Sequence, residues 1–263
     1  MNPTLYVAAR QGMQPLLPEM ASSMQEAGLD GCEPFFQSAD QVAPAGALLR
    51  QHGLAMHTCC TTARLHDDSA PDAIQAVLEL GSAAKPWGAS VIAVAPQPVR
   101  QDLPIEKGEY ELRRQSLALE ELGARLAEQG LMLAYIPQAY AMRSKAREFE
   151  RMLQTTTLES VSLGLAADWI YRETGDNAQL LEDLATRYAA RIKILYLCPP
   201  QMDGLWAVVQ RMARLFTAQQ VHLLIVLDCT FAPGAPGIVE AYRQGRAAVE
   251  AIFGVAGSQK SAP

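Results

Sequence analysis

No run of lysines or arginines occurs anywhere in the 263 residues, and the net charge is −6. Nucleic acid, whose phosphates call for a basic patch, is therefore not an expected partner. An anionic small molecule stays open, because a few local arginines can outweigh a weak global charge. No apolar stretch approaches the ~20 residues that span a bilayer, so no membrane partner is expected either. Cysteine is scarce: Cys32, Cys59, Cys60, Cys198 and Cys229 are all there are. The count is odd, two are adjacent and no Cys-x-x-Cys occurs, which argues against a disulfide framework, a zinc knuckle or a redox pair. Reduced thiols in a cytoplasmic protein are the simplest reading. The opening MNPTLYVAARQGM lacks a charged segment ahead of an apolar one, so no secretory leader is expected.

What the chain does have is apolar material, 49% of residues against 19% charged. Eight short, nearly continuous apolar runs recur: Thr4–Ala9, Gly31–Pro34, Leu54–Cys59, Ser90–Ala95, Leu131–Ile136, Val161–Ala167, Ile192–Cys198 and Val221–Leu227. Runs of that kind fit parallel strands covered on both faces. The segments between them read as helices, among them Leu16–Ala27, Asp72–Lys85, Glu109–Glu128, Asn177–Arg191, Gly204–Gln219 and Gly237–Ile252. In Glu109–Glu128, Leu112, Leu119, Leu122 and Leu126 fall on one stripe. Glycine punctuates the return to strand at Gly28, Gly53, Gly88 and Gly130. Strand–helix repeated eight times predicts an α/β fold, a (β/α)8 TIM barrel, close to the roughly 250 residues typical of one such barrel. An open doubly wound sheet is the rival, but its Gly-x-Gly-x-x-Gly turn is missing. We expect one barrel domain over residues 1–254, a flexible tail over 255–263, and an active-site loop or lid at Pro96–Lys107.

Local phrases carry a resemblance. GLDGCEP at Gly28–Pro34, WGASVIAV at Trp87–Val94, LMLAYIPQ at Leu131–Gln138, LGLAADWIY at Leu163–Tyr171 and RYAARIKILYL at Arg187–Leu197 resemble the second, fourth, fifth, sixth and seventh strand regions of xylose isomerase-like barrels. These are the sugar phosphate isomerase/epimerase group, with inosose dehydratases, hydroxypyruvate isomerases and tagatose epimerases. The resemblance implies a divalent ion held by carboxylates and histidines at the ends of strands five to eight, polarising a carbonyl while a carboxylate moves a proton. Taken position by position, the fifth-strand His-Pro-His is Ile136-Pro137-Gln138, and the sixth-strand Asp survives as Asp168 with Tyr171 for the following His. The seventh-strand His-Leu-Lys is Tyr196-Leu197-Cys198, and Asp228 stands one step beyond the eighth-strand Glu position. Most ligands are thus replaced, so no cofactor is expected, although a divalent metal on a rearranged set such as Glu33, His57, Asp168 and Asp228 stays open.

Each candidate has two readings. Glu33 is a general base at a barrel rim, or an ion-pair partner of Arg10. His57 in the third strand is an acid/base group or substrate donor, or a core histidine on a backbone carbonyl. Asp168 is the carried-over carboxylate and an alternative base. Arg10 clamps an anion or lies on the surface, as do Arg100 and Arg172. Gln138, Tyr171, Tyr196 and Asp228 line a polar cavity able to bind substrate, and Trp169 stacks on a sugar or caps the core. His66, among Asp67 and Asp68, belongs to a ligand cluster or a solvated loop; His52 and His222 read as structural. The cysteines are small buried hydrophobes, or converge as a soft-metal or thiol site. The function these readings suggest is a sugar isomerase/epimerase-like enzyme acting on a small sugar, polyol or hydroxy-ketone by proton transfer next to a carbonyl, without the usual metal. The alternative is a non-catalytic barrel that binds a small molecule or a partner subunit. A homodimer is compatible with either.

Overall fold

The computed structural model describes residues 6–10, 15–100, 105–175, 177–198, 205–218, 223–228 and 237–253. Eight parallel strands, β1 (Tyr6–Arg10), β2 (Gly31–Glu33), β3 (Thr58–Ala63), β4 (Val91–Pro96), β5 (Met132–Tyr135), β6 (Val161–Ala166), β7 (Ile192–Leu197) and β8 (Leu224–Leu227), form one sheet in the order β2-β1-β8-β7-β6-β5-β4-β3. Two parallel bridges, Gly31 to Ala55 and Phe35 to Cys60, join the two edges. The sheet thereby closes into a (β/α)8 barrel, which leaves no strand edge unpaired. Outside it run α1 (Pro18–Glu26), α2 (Val42–Gln51), α3 (Ala70–Ala84), α4 (Glu109–Glu128), α5 (Arg143–Thr155), α6 (Ala167–Glu173), α7 (Ala178–Arg187), α8 (Trp206–Ala218) and α9 (Ile238–Phe253). No helix among the described residues is long and apolar enough to cross a membrane.

Strand alternation divides the apolar residues into two layers. One lies between sheet and helices and holds the expected α4 stripe, Leu112, Leu119, Leu122 and Leu126, all buried. Each such leucine contributes about 1.5–3 kcal/mol of burial. The other fills the barrel itself with Val91, Ala93, Ala95, Ala134, Ile136 and their neighbours. The adjacent Cys59 and Cys60 point to opposite layers, Cys59 outward and Cys60 inward, and Cys32 is also outward. The described cysteines therefore do not converge on one site; Cys229 and His222 lie outside the described residues, as does the expected tail.

The helix-ending glycines Gly28, Gly53, Gly88 and Gly130 all have positive φ, the backbone state glycine adopts at least cost. The third strand departs from expectation. Between its two bridges β2 advances four residues and the facing chain five, from Ala55 to Cys60. That extra residue is a bulge. Beyond it the strand runs on through Thr61 and Thr62, which a search for apolar runs passes over although threonine suits a strand.

The approach of α4 to the start of β6 is close enough to be tested. A Cβ at Gly123 would lie 2.0 Å from the Ser160 carbonyl oxygen. Alanine favours a helix interior by about 1 kcal/mol over glycine, yet here overpacking against backbone dominates. Gly123→Ala is expected to destabilise the protein by about 1–3 kcal/mol, read as a lower urea midpoint at unchanged slope.

Candidate active site

Register assembles the polar groups at the C-terminal end of the barrel. Arg10 pairs with Glu33 across β1 and β2, and Ala9 pairs with Leu227 across β1 and β8. The next residue on that side, Asp228, therefore falls beside Arg10. Side chains at matched register share a face, so Asp228, Arg10 and Glu33 form an acid–base–acid row on the inner wall. The bulge brings Thr58 alongside Glu33. Arg10 Nη1 donates to Asp228 Oδ2 at 3.0 Å, Nη2 donates to Cys60 Sγ at 3.3 Å, and Nε lies 3.5 Å from Glu33 Oε1. The guanidinium carbon is 4.9 Å from the Tyr196 ring centroid and 5.7 Å from that of Trp169.

Glu33 has no solvent contact. Its Oε2 accepts hydrogen bonds from the hydroxyls of Tyr196 and Thr58, each at 3.0 Å. Tyr196 reaches it from β7 because β6 carries Gly164, where a Cβ would meet the Tyr196 ring at 3.0 Å. Burial pushes the Glu33 carboxyl above its ordinary range, against the pull of Arg10, Tyr196 and Thr58. Burial also works against the Arg10 charge, but Cys60, Tyr196, Glu33 and Asp228 outweigh it and the guanidinium stays protonated. Burial holds the Cys60 thiol up at about 12, so it is a neutral acceptor and not a nucleophile.

Asp168 opens α6 directly after β6 and is only 4% exposed. Its Oδ2 pairs with Arg172 Nη2 at 2.9 Å, while Oδ1 is buried without a hydrogen-bond partner among the described residues. Burial, and after it the nearby Asp228 charge, raise the Asp168 pKa against the pull of Arg172. A carboxylate so placed is a better proton acceptor than one in water.

Of the expected site residues, Arg10, Glu33, Tyr196, Asp228, Asp168 and Trp169 gather at this end. Gln138 stands half-buried after β5, at the same end, without a hydrogen bond to the row among the described residues. His57 does not belong. It sits before β3, and its carbonyl accepts from the amides of Ser90 and Val91, where β4 begins. Its ring meets that of Tyr6, the first residue of β1, edge-on at 4.5 Å. β3 begins only after it, so it stands at the N-terminal end, opposite the acids. Tyr171 is likewise misplaced by expectation, since α6 turns it into the layer between sheet and helices. Arg10 is ill suited to clamp a fully charged anion such as a phosphate, because Glu33 and Asp228 already match its charge. Sequence reasoning missed Thr58 and the inward face of Cys60; the parity of β3 around the bulge was the signal. His66, expected in a solvated loop, is buried beside Lys107.

The residues present do not fit the ion that the resemblance implies. Ile136 cannot ligate, Asp228 is bonded to Arg10 and Asp168 to Arg172. Among the described residues no group of three or more His, Cys, Asp or Glu is arranged to hold a metal. Two surface clefts, of about 350 and 210 Å³, lie away from this end, one between α3 and α4 and one near Met132, Leu158 and Lys193.

No protein-family model matches the chain, and no curated protein sequence matches it. Solved structures do. A sugar phosphate isomerase/epimerase from Parabacteroides distasonis superposes with a TM-score of 0.70 at 13% identity, over 96% of this chain and 94% of that one. D-allulose 3-epimerase from Methylomonas sp. gives 0.73 at 11% identity, over 95% and 98%. A xylose isomerase-like TIM barrel protein from Mycobacterium smegmatis, in complex with magnesium, gives 0.69 at 11% identity, over 95% and 97%. These likenesses establish the fold, which is that of the xylose isomerase-like TIM barrels.

The buried bond from Tyr196 to Glu33 is testable by substitution. Tyr196→Phe keeps the ring and leaves a buried carboxylate short of a donor, at an expected cost of about 1–3 kcal/mol. In a double-mutant cycle with Glu33→Gln, measured by urea unfolding, the two losses should fall short of additive.

Proposed function

We propose that this chain is a sugar isomerase/epimerase-like enzyme that moves a proton at a carbon next to a carbonyl in a small sugar, polyol-derived ketone or hydroxy-ketone. One observation carries the reading: Asp168, a buried carboxylate with a raised pKa and one oxygen without a partner among the described residues, stands at the same barrel end as a fixed guanidinium. Trp169, the next residue, packs against that guanidinium, which ties the start of the base's helix to the cation. The likeness of the fold to sugar epimerases and isomerases supports the same class.

In the proposed step Asp168 Oδ1 takes the proton from the carbon. The C–H electron pair becomes a C=C bond, and the carbonyl π pair moves to oxygen as an enolate. Transfer of the hydroxyl proton from the neighbouring oxygen to the enolate oxygen lets the C=O bond form at the first carbon as Asp168 returns its proton to the second, which interconverts ketose and aldose with a single base on one face. Glu33 is not the base. It lies beneath Arg10 out of reach of substrate, and its part is to hold Arg10 and Tyr196 in position. With the charge of Arg10 already matched by two acids, an uncharged substrate suits the site better than a phosphate ester.

A non-catalytic, ligand-binding barrel is the second reading, favoured by the closeness with which Arg10 is tied down. Solvent-deuterium exchange into keto-sugars separates the two. The enzyme reading expects exchange that falls about 10²–10⁴-fold in Asp168→Asn and persists in His57→Ala at the far end of the barrel. Binding of a sugar without any exchange, across a panel of keto-sugars, would count for the binder.

A further inference from the structure

We propose that Arg10 is the resident cation of this site: its guanidinium takes the space among the acids that a divalent ion would need, and offers its remaining N–H groups to the oxygen of a bound substrate. The first half stands on geometry alone. The second rests on the proton-transfer reading above.

Glu33 is fully buried, and Asp168 and Asp228 are nearly so. Carboxylates taken out of water need a positive charge in contact or they lose their own. Arg10 touches Glu33 from β2 and Asp228 after β8, meets Cys60 of β3, and lies against the rings of Tyr196 and Trp169. Five parts of the barrel thus fix one planar cation. The segments 11–14, 101–104, 199–204 and 229–236, which follow β1, β4, β7 and β8, contain no lysine, arginine or histidine. The acids able to ligate an ion are therefore present; Arg10 occupies Glu33 and Asp228, and Arg172 holds Asp168.

A guanidinium has five N–H groups. One on Nη1 goes to Asp228, one on Nη2 to Cys60, and the one on Nε faces Glu33. One on each Nη remains without a partner among the described residues. Two N–H groups on a cation that stays protonated can receive the negative charge that develops on a carbonyl oxygen during enolisation. That is the task a metal ion would otherwise perform, and the fixed plane needs no rearrangement to do it.

The test is thermal unfolding of the full chain as wild type, Arg10→Ala and Arg10→Lys, each with Mn²⁺, with EDTA and with millimolar ethylguanidinium. Wild-type Tm should be unmoved by all three. Arg10→Ala should fall by about 5 °C or more and recover, saturably, with ethylguanidinium or Mn²⁺. Arg10→Lys should lose less and ignore both. Should Arg10→Ala not fold unaided, its refolding yield in ethylguanidinium against sodium chloride at equal ionic strength gives the same readout; a higher yield in ethylguanidinium supports the proposal and equal yields contradict it. The proposal is overturned if wild type binds one Mn²⁺ per chain with Arg10 intact, or if Arg10→Ala matches wild type and ignores both cations. These outcomes are independent of catalysis, so absence of deuterium exchange in wild type would remove the proton-transfer reading and leave the cation result standing.

Discussion

A buried acid–base–acid row, Asp228, Arg10 and Glu33, sets the character of this barrel. Arg10 and Glu33 end β1 and β2, Asp228 directly follows β8, and the closed sheet fixes their order. A barrel interior is ordinarily filled by branched aliphatic side chains. Here four alanines, a glycine and Val226 leave room for an inward-leaning tyrosine, and charged groups stand above them. A single arginine without its acids, or the acids without the arginine, would leave an uncompensated buried charge. The row therefore works as a unit, and Tyr196, Thr58 and Gly164 are best understood as its supports.

Much of the fold was legible in the sequence, for identifiable reasons. Covered parallel strands must be continuously apolar, which exposes them even in a single chain, and the glycines that end helices mark where strands begin. Leu112, Leu119, Leu122 and Leu126 are buried as their spacing requires. The segments holding α2 and α5 were read as helical without bounds, and α6, which precedes α7 in the same segment, was not foreseen. α5 carries mostly polar and charged residues with three consecutive left-handed residues near its start, Ser144, Lys145 and Ala146. α6 grows without a break from β6, so the apolar run continues past the strand's end. At the site, Asp168, Arg10 and Asp228 were legible because they stand at strand ends. His57 was misread because the third strand runs on through Thr61 and Thr62, which an apolar run does not show, so that His57 stands before the strand's start and not near its end.

Polar burial is not confined to the barrel mouth. Lys107 Nζ meets Glu148 Oε1 at 2.8 Å behind β4 and β5, Gln115 donates to the same oxygen at 2.9 Å, and Lys107 lies 5.1 Å from the Tyr140 ring centroid. Burial, and then the Lys107 charge, lower the pKa of the neighbouring His66. This second cluster ties the segment after β4 to α4 and α5. It lies in the layer outside the sheet, where Tyr135 also points, and shares no residue with the row inside the barrel. The two polar systems are separated by the wall of the barrel.

The account turns on what neutralises Glu33 and Asp228. Electron density from crystals grown with a millimolar divalent ion addresses that most directly. The account predicts a flat guanidinium between the two carboxylates, with Tyr196 bonded to Glu33 and no ion among them. An ion ligated by Asp168 and Asp228, with Arg10 turned out toward solvent, would contradict it.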